Sequence, residues 1–235
     1  MIRKTPQETR QDVLKLRLHD NPQAWPEMEI VRLRPFTREN LYPNQRREVK
    51  NRTRRALGQF YPNTKGTLKQ EVAAELEERA KQDKPVHFLD AGPGDGWEIH
   101  YAQQISPNII GHGLGLNYPG ELSPKPRGRW IRRHIESTVL KQKGKDEGFF
   151  DVIQDHYAST HAFEKAEALQ NLLNSLRPGG VLISYGLPTR FLRQPLVDAL
   201  ARQEITVQTR DSADRMHIFR RKINAPADLA GPAKS

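Results

Sequence analysis

The sequence predicts an α/β fold: a doubly wound, mostly parallel seven-stranded sheet with helices on both faces and a C-terminal antiparallel hairpin. A basic, mainly helical or irregular N-terminal extension precedes it. Three observations predict this. After Lys84, short apolar runs alternate with helical stretches, the pattern of parallel strands joined by crossover helices. The first run, Val86-His87-Phe88-Leu89, ends in an acid, Asp90, followed by glycines at alternate positions. The last two runs form a hairpin around Asp211-Ser212-Ala213-Asp214, joined too closely for a crossover, so these strands pair antiparallel.

In chain order, a helix is expected over residues 7 to 18, with Val13, Leu14 and Leu18 on one face. A second, over 45 to 57, places Arg46, Arg47, Lys50 and Arg54 together, and a third, over 67 to 82, repeats Leu68, Val72, Leu76 and Ala80 every four residues while Glu71, Glu75 and Glu78 face away. Strands follow at 86 to 89, 109 to 116, 129 to 135, 149 to 154 and 181 to 185, then 204 to 209 and 215 to 220 as the hairpin. Helices are expected at 97 to 105, at 163 to 176, where Pro178-Gly179-Gly180 stops the chain, and at 191 to 202. The tail from Ala225, rich in Ala, Pro and Gly, is expected to be disordered. The organisation predicted is an extension or cap over 1 to 66, one domain over 67 to 222, and a tail over 223 to 235.

Across 235 residues the chain carries 38 Lys and Arg against 28 Asp and Glu, a net charge of +10. Most of the excess lies in residues 31 to 60, with nine basic and two acidic side chains. Such a cluster attracts polyanions, RNA above all, through release of condensed counterions. With no cysteine, thiolate metal sites, disulfides and cysteine nucleophiles are excluded. The histidines show no metal-ligand spacing, so no required metal is expected. No run is long enough to span a membrane, and the polar start of the chain lacks the apolar core of a secretory signal, so a cytoplasmic protein is expected.

The most informative stretch is Asp90-Ala91-Gly92-Pro93-Gly94-Asp95-Gly96-Trp97. Glycines let a backbone approach a ligand closely, and the helix that follows offers free N–H groups. The spacing differs from the G-x-G-x-x-G of dinucleotide sites, and Asp95 would repel a pyrophosphate while suiting a cation. Downstream, Phe150-Asp151-Val152-Ile153 precedes His156 and His161, and Leu172-Leu173, Leu176 and Arg177-Pro178-Gly179-Gly180 lead into Val181-Leu182-Ile183. Together these segments, over roughly residues 67 to 222, resemble the class I S-adenosylmethionine-dependent methyltransferases.

The resemblance implies S-adenosylmethionine as cofactor, in a cleft at the carboxyl ends of the strands. Asp90, Gly92, Pro93, Gly94 and Gly96 would line its amino-acid end and sulfonium. Glu136, with Ser137 beside it, would take the adenine amino group, and Asp155 and His156 would stand near the methyl being transferred. His156 is the expected base where an acceptor must lose a proton, since imidazole titrates near neutral pH. One position departs from the family pattern: Gly115 stands where an acid usually binds both ribose hydroxyls. Asn117, two residues on, lies on the same side of an extended strand and could supply one hydrogen bond. A backbone substitute, a displaced cofactor and a degenerate site stay open beside it.

The function expected is methyl transfer to a small molecule, a protein side chain or RNA. The alternative is a catalytically degenerate methyltransferase-like domain acting as an RNA- or protein-binding module. Trp97 and Tyr101, four apart, are expected to pack in the core rather than to cover the cofactor, Asp151 to cap or order the start of its strand, and Tyr157, Tyr185 and the turn Gly186-Leu187-Pro188 to be ordinary structural residues, with the border of a substrate opening as the alternative. The basic face at 45 to 57 needs an acidic partner, either the glutamates at 71, 75 and 78 or a phosphate backbone, and the internal pairing is expected. Replacing Arg46, Lys50 and Arg54 together by Gln tests the choice. Internal pairing predicts a small loss of thermal stability and no change in RNA affinity. RNA binding predicts that the slope of log K against log salt becomes shallower by about two to three.

Overall fold

The computed structural model describes residues 27–32, 68–94, 96–115, 127–156, 158–162, 165–188, 192, 194–210 and 215–223. The expected helices at 7 to 18 and 45 to 57, the basic segment beyond Arg32 and the tail lie outside them. In chain order the described elements are β1 (Met28–Arg32), α1 (Gln70–Ala80), β2 (Val86–Ala91), α2 (Trp97–Ile105), β3 (Ile109–Gly115), β4 (Trp130–Arg132), a 3-10 turn (Ile135–Ser137), β5 (Thr138–Gln142), β6 (Phe150–His156), α3 (Ala158–His161), α4 (Lys165–Asn174), β7 (Leu176–Tyr185), α5 (Gln194–Arg202), β8 (Ile205–Arg210) and β9 (Met216–Arg221).

Seven of the strands form one sheet in the order β4-β3-β2-β6-β7-β9-β8. All neighbours are parallel except β9, which runs antiparallel to both β7 and β8. The fold class read from the sequence is the one observed. Alternate strand residues supply two cores, one on each face. Phe88, Val152, Ile183 and Ile218 join Val72 and Leu76 of α1 and Ile99 of α2. Leu89, Ile153, Leu182 and Phe219 join Leu169, Leu172 and Leu173 of α4 on the other face.

Three elements depart from expectation. The strand expected over 129 to 135 is confined to Trp130–Arg132, and the chain then turns through Ile135–Ser137, where the Asn171 side-chain amide donates to the Ile135 carbonyl at 2.8 Å. The helix expected to reach 176 ends at Asn174. Ser175 Oγ donates to the Asn171 carbonyl at 2.7 Å, and β7 begins at Leu176. Pro178-Gly179-Gly180 is thus part of β7, in a bulge opposite Phe150 and Val152. Finally, β1 and β5 form an unforeseen antiparallel ribbon, Met28 facing Gln142 and Arg32 facing Thr138. Both strands are short, and β1 lies in the stretch read as helical or irregular extension.

Helix α1 crosses the sheet with Val72 and Leu76 fully buried, as its four-residue repeat predicts. Its glutamates do not all face away. Glu75 pairs with Arg79 at 2.9 Å and with Arg220 of β9 at 2.8 Å, Glu78 pairs with Lys81, and Glu71 accepts from the Tyr185 hydroxyl at 3.2 Å. These carboxylates therefore already have partners other than the basic segment. Arg79 also donates to the Gly179 carbonyl at 2.7 Å and lies 3.6 Å from Asp151, which Arg177 contacts too. Asp151 accepts from the His87 backbone N–H at 2.8 Å, so it orders the start of its strand as expected.

Beneath this network two histidines are packed among Phe149 and Phe150. His112 Nδ1 accepts from the Arg129 N–H at 3.0 Å, which leaves Nε2–H to face His87 Nδ1 at 3.3 Å. Burial, with the Arg177 charge, pushes His87 down to about 4. Between that value and its ordinary 6.5 the unfolded chain holds a proton that the folded chain excludes. The stability this group contributes is therefore complete above pH 6.5 and lost as pH falls toward 4. Denaturant unfolding of His87→Gln beside the parent should show the two converging as pH falls from 7 to 4, by on the order of 1–3 kcal/mol. Parallel pH profiles would contradict the assignment.

Candidate functional site

Strand register brings the candidate residues together at the carboxyl ends of β2, β3 and β6. Asp90 of β2 pairs with Gly113 of β3 on one side and Gln154 of β6 on the other. Residues paired across parallel strands share a face, so Asp90 and Gln154 stand side by side above the apolar row of Phe88 and Val152. Asp90 is 1% exposed, and neither carboxylate oxygen has a hydrogen-bond partner among the described residues. Burial first, then the charges of Glu98 and Asp155, push its carboxyl well above the usual range.

The glycine turn forms a cradle over this acid. The Gly92 N–H donates to the Leu114 carbonyl at 2.8 Å, and the Gly96 N–H closes the turn on the Pro93 carbonyl at 2.7 Å. Gly94 and Gly96 have φ of +50° and +80°, conformations that L side chains rarely adopt. A Cβ at Gly94 would meet nothing within 4 Å, so the turn is open on that side. At Gly96 a Cβ would lie 3.0 Å from the Trp130 ring, and Gly96 caps α2, whose first turn begins there. Asp95 lies outside the described residues. At Gly115 a Cβ would meet Pro93 Cδ at 3.2 Å, so an acid at this position would press on the turn. Asn117, the expected substitute, is outside the described residues.

Asp155 and His156 go to different places. Asp155 pairs with Ala91, on the face opposite Asp90, and is fully buried. Its carboxylate accepts from the Ser159 N–H at 3.0 Å, from the Ser159 hydroxyl and from the Ser184 hydroxyl at 2.7 Å. Its oxygens hold α3 onto the strand ends, and its charge acts on Asp90 from the opposite face. His156 returns to the Asp90 face, half-buried, its ring 5.9 Å from that of Tyr185 in edge contact. Tyr185 in turn meets Glu71 through its hydroxyl and lies under Lys69, whose Nζ is 5.5 Å from the ring centroid. The N-terminal end of α1 thus closes over the ends of β6 and β7.

After β4, Glu136 is buried in the 3-10 turn, with His134 Nδ1 3.9 Å from its carboxylate. The Ser137 hydroxyl donates to the His134 carbonyl at 3.3 Å, within the turn itself. Trp97 and Tyr101 are half-buried on the outer side of α2, ring against ring at 6.0 Å, and not in the core as expected. Tyr157 and the side chain of His161 lie outside the description. Sequence reading missed Gln154 and the pair Lys69 and Glu71. Gln154 carried a usable signal, since it sits two residues before His156 on a strand and therefore on the same face.

No protein-family model matches the chain, and no curated protein matches it in sequence. Solved structures do. Burkholderia thailandensis 1,6-didemethyltoxoflavin-N1-methyltransferase, with 1,6-didemethyltoxoflavin and S-adenosylhomocysteine bound, superposes with a TM-score of 0.50 and 16% identity, over 84% of this chain and 96% of that one. The chain has this methyltransferase fold. The antibiotic-resistance methyltransferase Kmr (14% identity, 67% of this chain, 94% of that, TM-score 0.46) and Geobacter metallireducens precorrin-6y C5,15-methyltransferase (15%, 68%, 92%, 0.45) are more distant and carry no further argument.

In this methyltransferase fold the buried Asp90, without a hydrogen-bond partner among the described residues, is a liability to the ligand-free chain. Its folded-state pKa is raised, so the stability it contributes is present at acid pH and lost as pH rises through that value. Asp90→Asn should therefore raise the melting temperature at neutral pH by roughly 2–6 °C, the scale of a 1–2 kcal/mol gain. A lower melting temperature for this variant would show that the carboxylate is satisfied in solution.

Proposed function

We propose that the chain binds S-adenosylmethionine in the cradle over Asp90 and transfers its methyl group to an acceptor held beside His156 and Tyr185. The observation that carries this reading is the buried Asp90 carboxyl, with no donor among the described residues and with the charges of Glu98 and Asp155 acting against its ionisation. A carboxylate so placed needs a cation, and the amino-acid end of this cofactor carries one. The open side of Gly94 leaves room for a ligand against the turn. The reading of a degenerate module would leave this buried acid with nothing to favour its ionised form.

When bound, the cofactor supplies a methyl group on a sulfonium, activated for in-line displacement. The chain's own work is alignment and exclusion of water. Asp90 would hold the ammonium, and the backbone of Gly92, Gly94 and Gly96 would accommodate the chain beside it. Glu136, on the far side of β3, would receive the adenine amine. His156 would take a proton from an acceptor that must lose one, with Tyr185 setting its ring orientation by edge contact. Acceptors of three classes fit this chemistry: a small molecule, a protein side chain, or RNA drawn by the basic segment.

Gly94→Leu tests the reading. A Cβ at this position meets nothing within 4 Å among the described residues, and its positive φ costs about 1–2 kcal/mol, so the fold should survive. Calorimetry should show binding of S-adenosylhomocysteine weakened at least about 100-fold, the scale of losing an aligned charged contact. Unchanged affinity in a variant with the parent's circular dichroism would exclude the cradle as the site.

A further inference from the structure

Gln154 has no assigned role, yet it is the second partnerless group at the same place. It is fully buried, and neither its carbonyl oxygen nor its amide nitrogen has a hydrogen-bond partner among the described residues. Leaving one buried polar group unsatisfied is costly, and two adjacent ones in strand register call for a shared cause. Gln154 and Asp90 are Cα partners on β6 and β2, with side chains on one face. On one side Gly113 contributes no side chain, and the space above it is occupied by the Trp130 ring and Pro93, at 3.0 and 3.1 Å from where its Cβ would be. On the other side Gln154 is in register with Ile183, an apolar residue. Below the pair lies the apolar row of Phe88 and Val152. Beyond the pair along the strands come Gly92 of the turn and His156.

We propose that Gln154 is a ligand-recognition residue that shares an α-ammonium group with Asp90, the carboxylate accepting one of its N–H groups and the Gln154 carbonyl another. An ammonium carries three donors in a tetrahedral arrangement, and a carboxylate beside an amide carbonyl offers acceptors in two directions. The uncharged amide suits this role better than a second carboxylate, which would add repulsion to a site already facing Glu98 and, from the other face, Asp155. The amide also leaves its Nε2 able to turn to the second Asp90 oxygen, so that ligand binding satisfies both orphan groups together. This inference rests on the proposed cofactor reading. It adds that the chain recognises the amino-acid end of the ligand separately from its nucleoside end.

The test compares two ligands and three proteins by calorimetry, with melting temperatures of the ligand-free chains. S-Adenosylhomocysteine carries the amino-acid end, and 5′-methylthioadenosine keeps the adenosine and sulfur without it. The parent should prefer the first. Gln154→Leu should bind S-adenosylhomocysteine about 10- to 100-fold more weakly, the scale of a hydrogen bond to a charged group, with 5′-methylthioadenosine unchanged within about twofold. Its ligand-free melting temperature should equal or exceed the parent's, because an unsatisfied buried amide has been removed. Gln154→Met, unbranched and of similar length, serves if the leucine variant does not fold. Unchanged S-adenosylhomocysteine affinity, or equal loss of both ligands, would overturn the ammonium role while leaving the cofactor reading in place. A parent that binds neither ligand would overturn the cofactor reading and this inference with it.

Discussion

A sheet covered by helices on both faces leaves one place where polar side chains can gather without solvent: the carboxyl ends of its central strands. Each polar group there must be satisfied by the chain or by something the chain binds. The two outcomes occur one residue apart. Asp155 is satisfied, its oxygens taken by Ser159 and Ser184 on the α4 side of the sheet. Asp90 and Gln154, in register with each other on the other side, have no hydrogen-bond partner among the described residues. Because strand side chains alternate, the same register that commits Asp155 to holding α3 aims Gln154 and His156 toward the cradle. The division of labour between structural and ligand-facing groups follows from that alternation.

Helix α1 links the two ends of the sheet. Its C-terminal half is fixed at the amino ends of β6 and β7 by Arg79, which meets Glu75, the Gly179 carbonyl and Asp151, while Arg220 of β9 holds Glu75 from the neighbouring strand. Its N-terminal end then falls where Tyr185 meets Glu71 and Lys69. The proposed acceptor side is thus bordered by a helix that lies earlier in the chain than any strand of the main sheet. Its position depends on partly buried ion pairs, which are worth more than exposed ones only while every partner is present.

Much of this was legible in the sequence, and the misses have physical reasons. The alternation of apolar runs and helices gave the parallel sheet, and the five-residue spacing between the last two runs gave the antiparallel hairpin. The glycines after Asp90 marked the cradle, because only a backbone that needs positive φ and close approach uses three glycines at alternate positions. The ribbon of β1 and β5 was not legible, since five-residue strands with Glu29, Lys141 and Gln142 among them show little alternation. Pro178-Gly179-Gly180 suggested a stop, but a bulge absorbs all three residues within β7. The partners of Asp155, Ser159 and Ser184, were not legible either, since they lie on different elements and only the fold brings them to it. Gln154 was overlooked because an amide in an apolar strand gives no charge signal, although its two-residue offset from His156 puts it on the same face.

The central claim is that the buried acid of the cradle is completed by a cationic ligand. Titration of the chain with S-adenosylhomocysteine, by calorimetry over a range of pH above the ordinary carboxylate range and in buffers of different ionisation enthalpy, tests it most directly. An acid whose pKa is raised by burial in the free chain must ionise to receive an ammonium, so binding should release protons, and Asp90→Asn should abolish that release. Binding without proton release across this range, or no binding at all, would contradict the account.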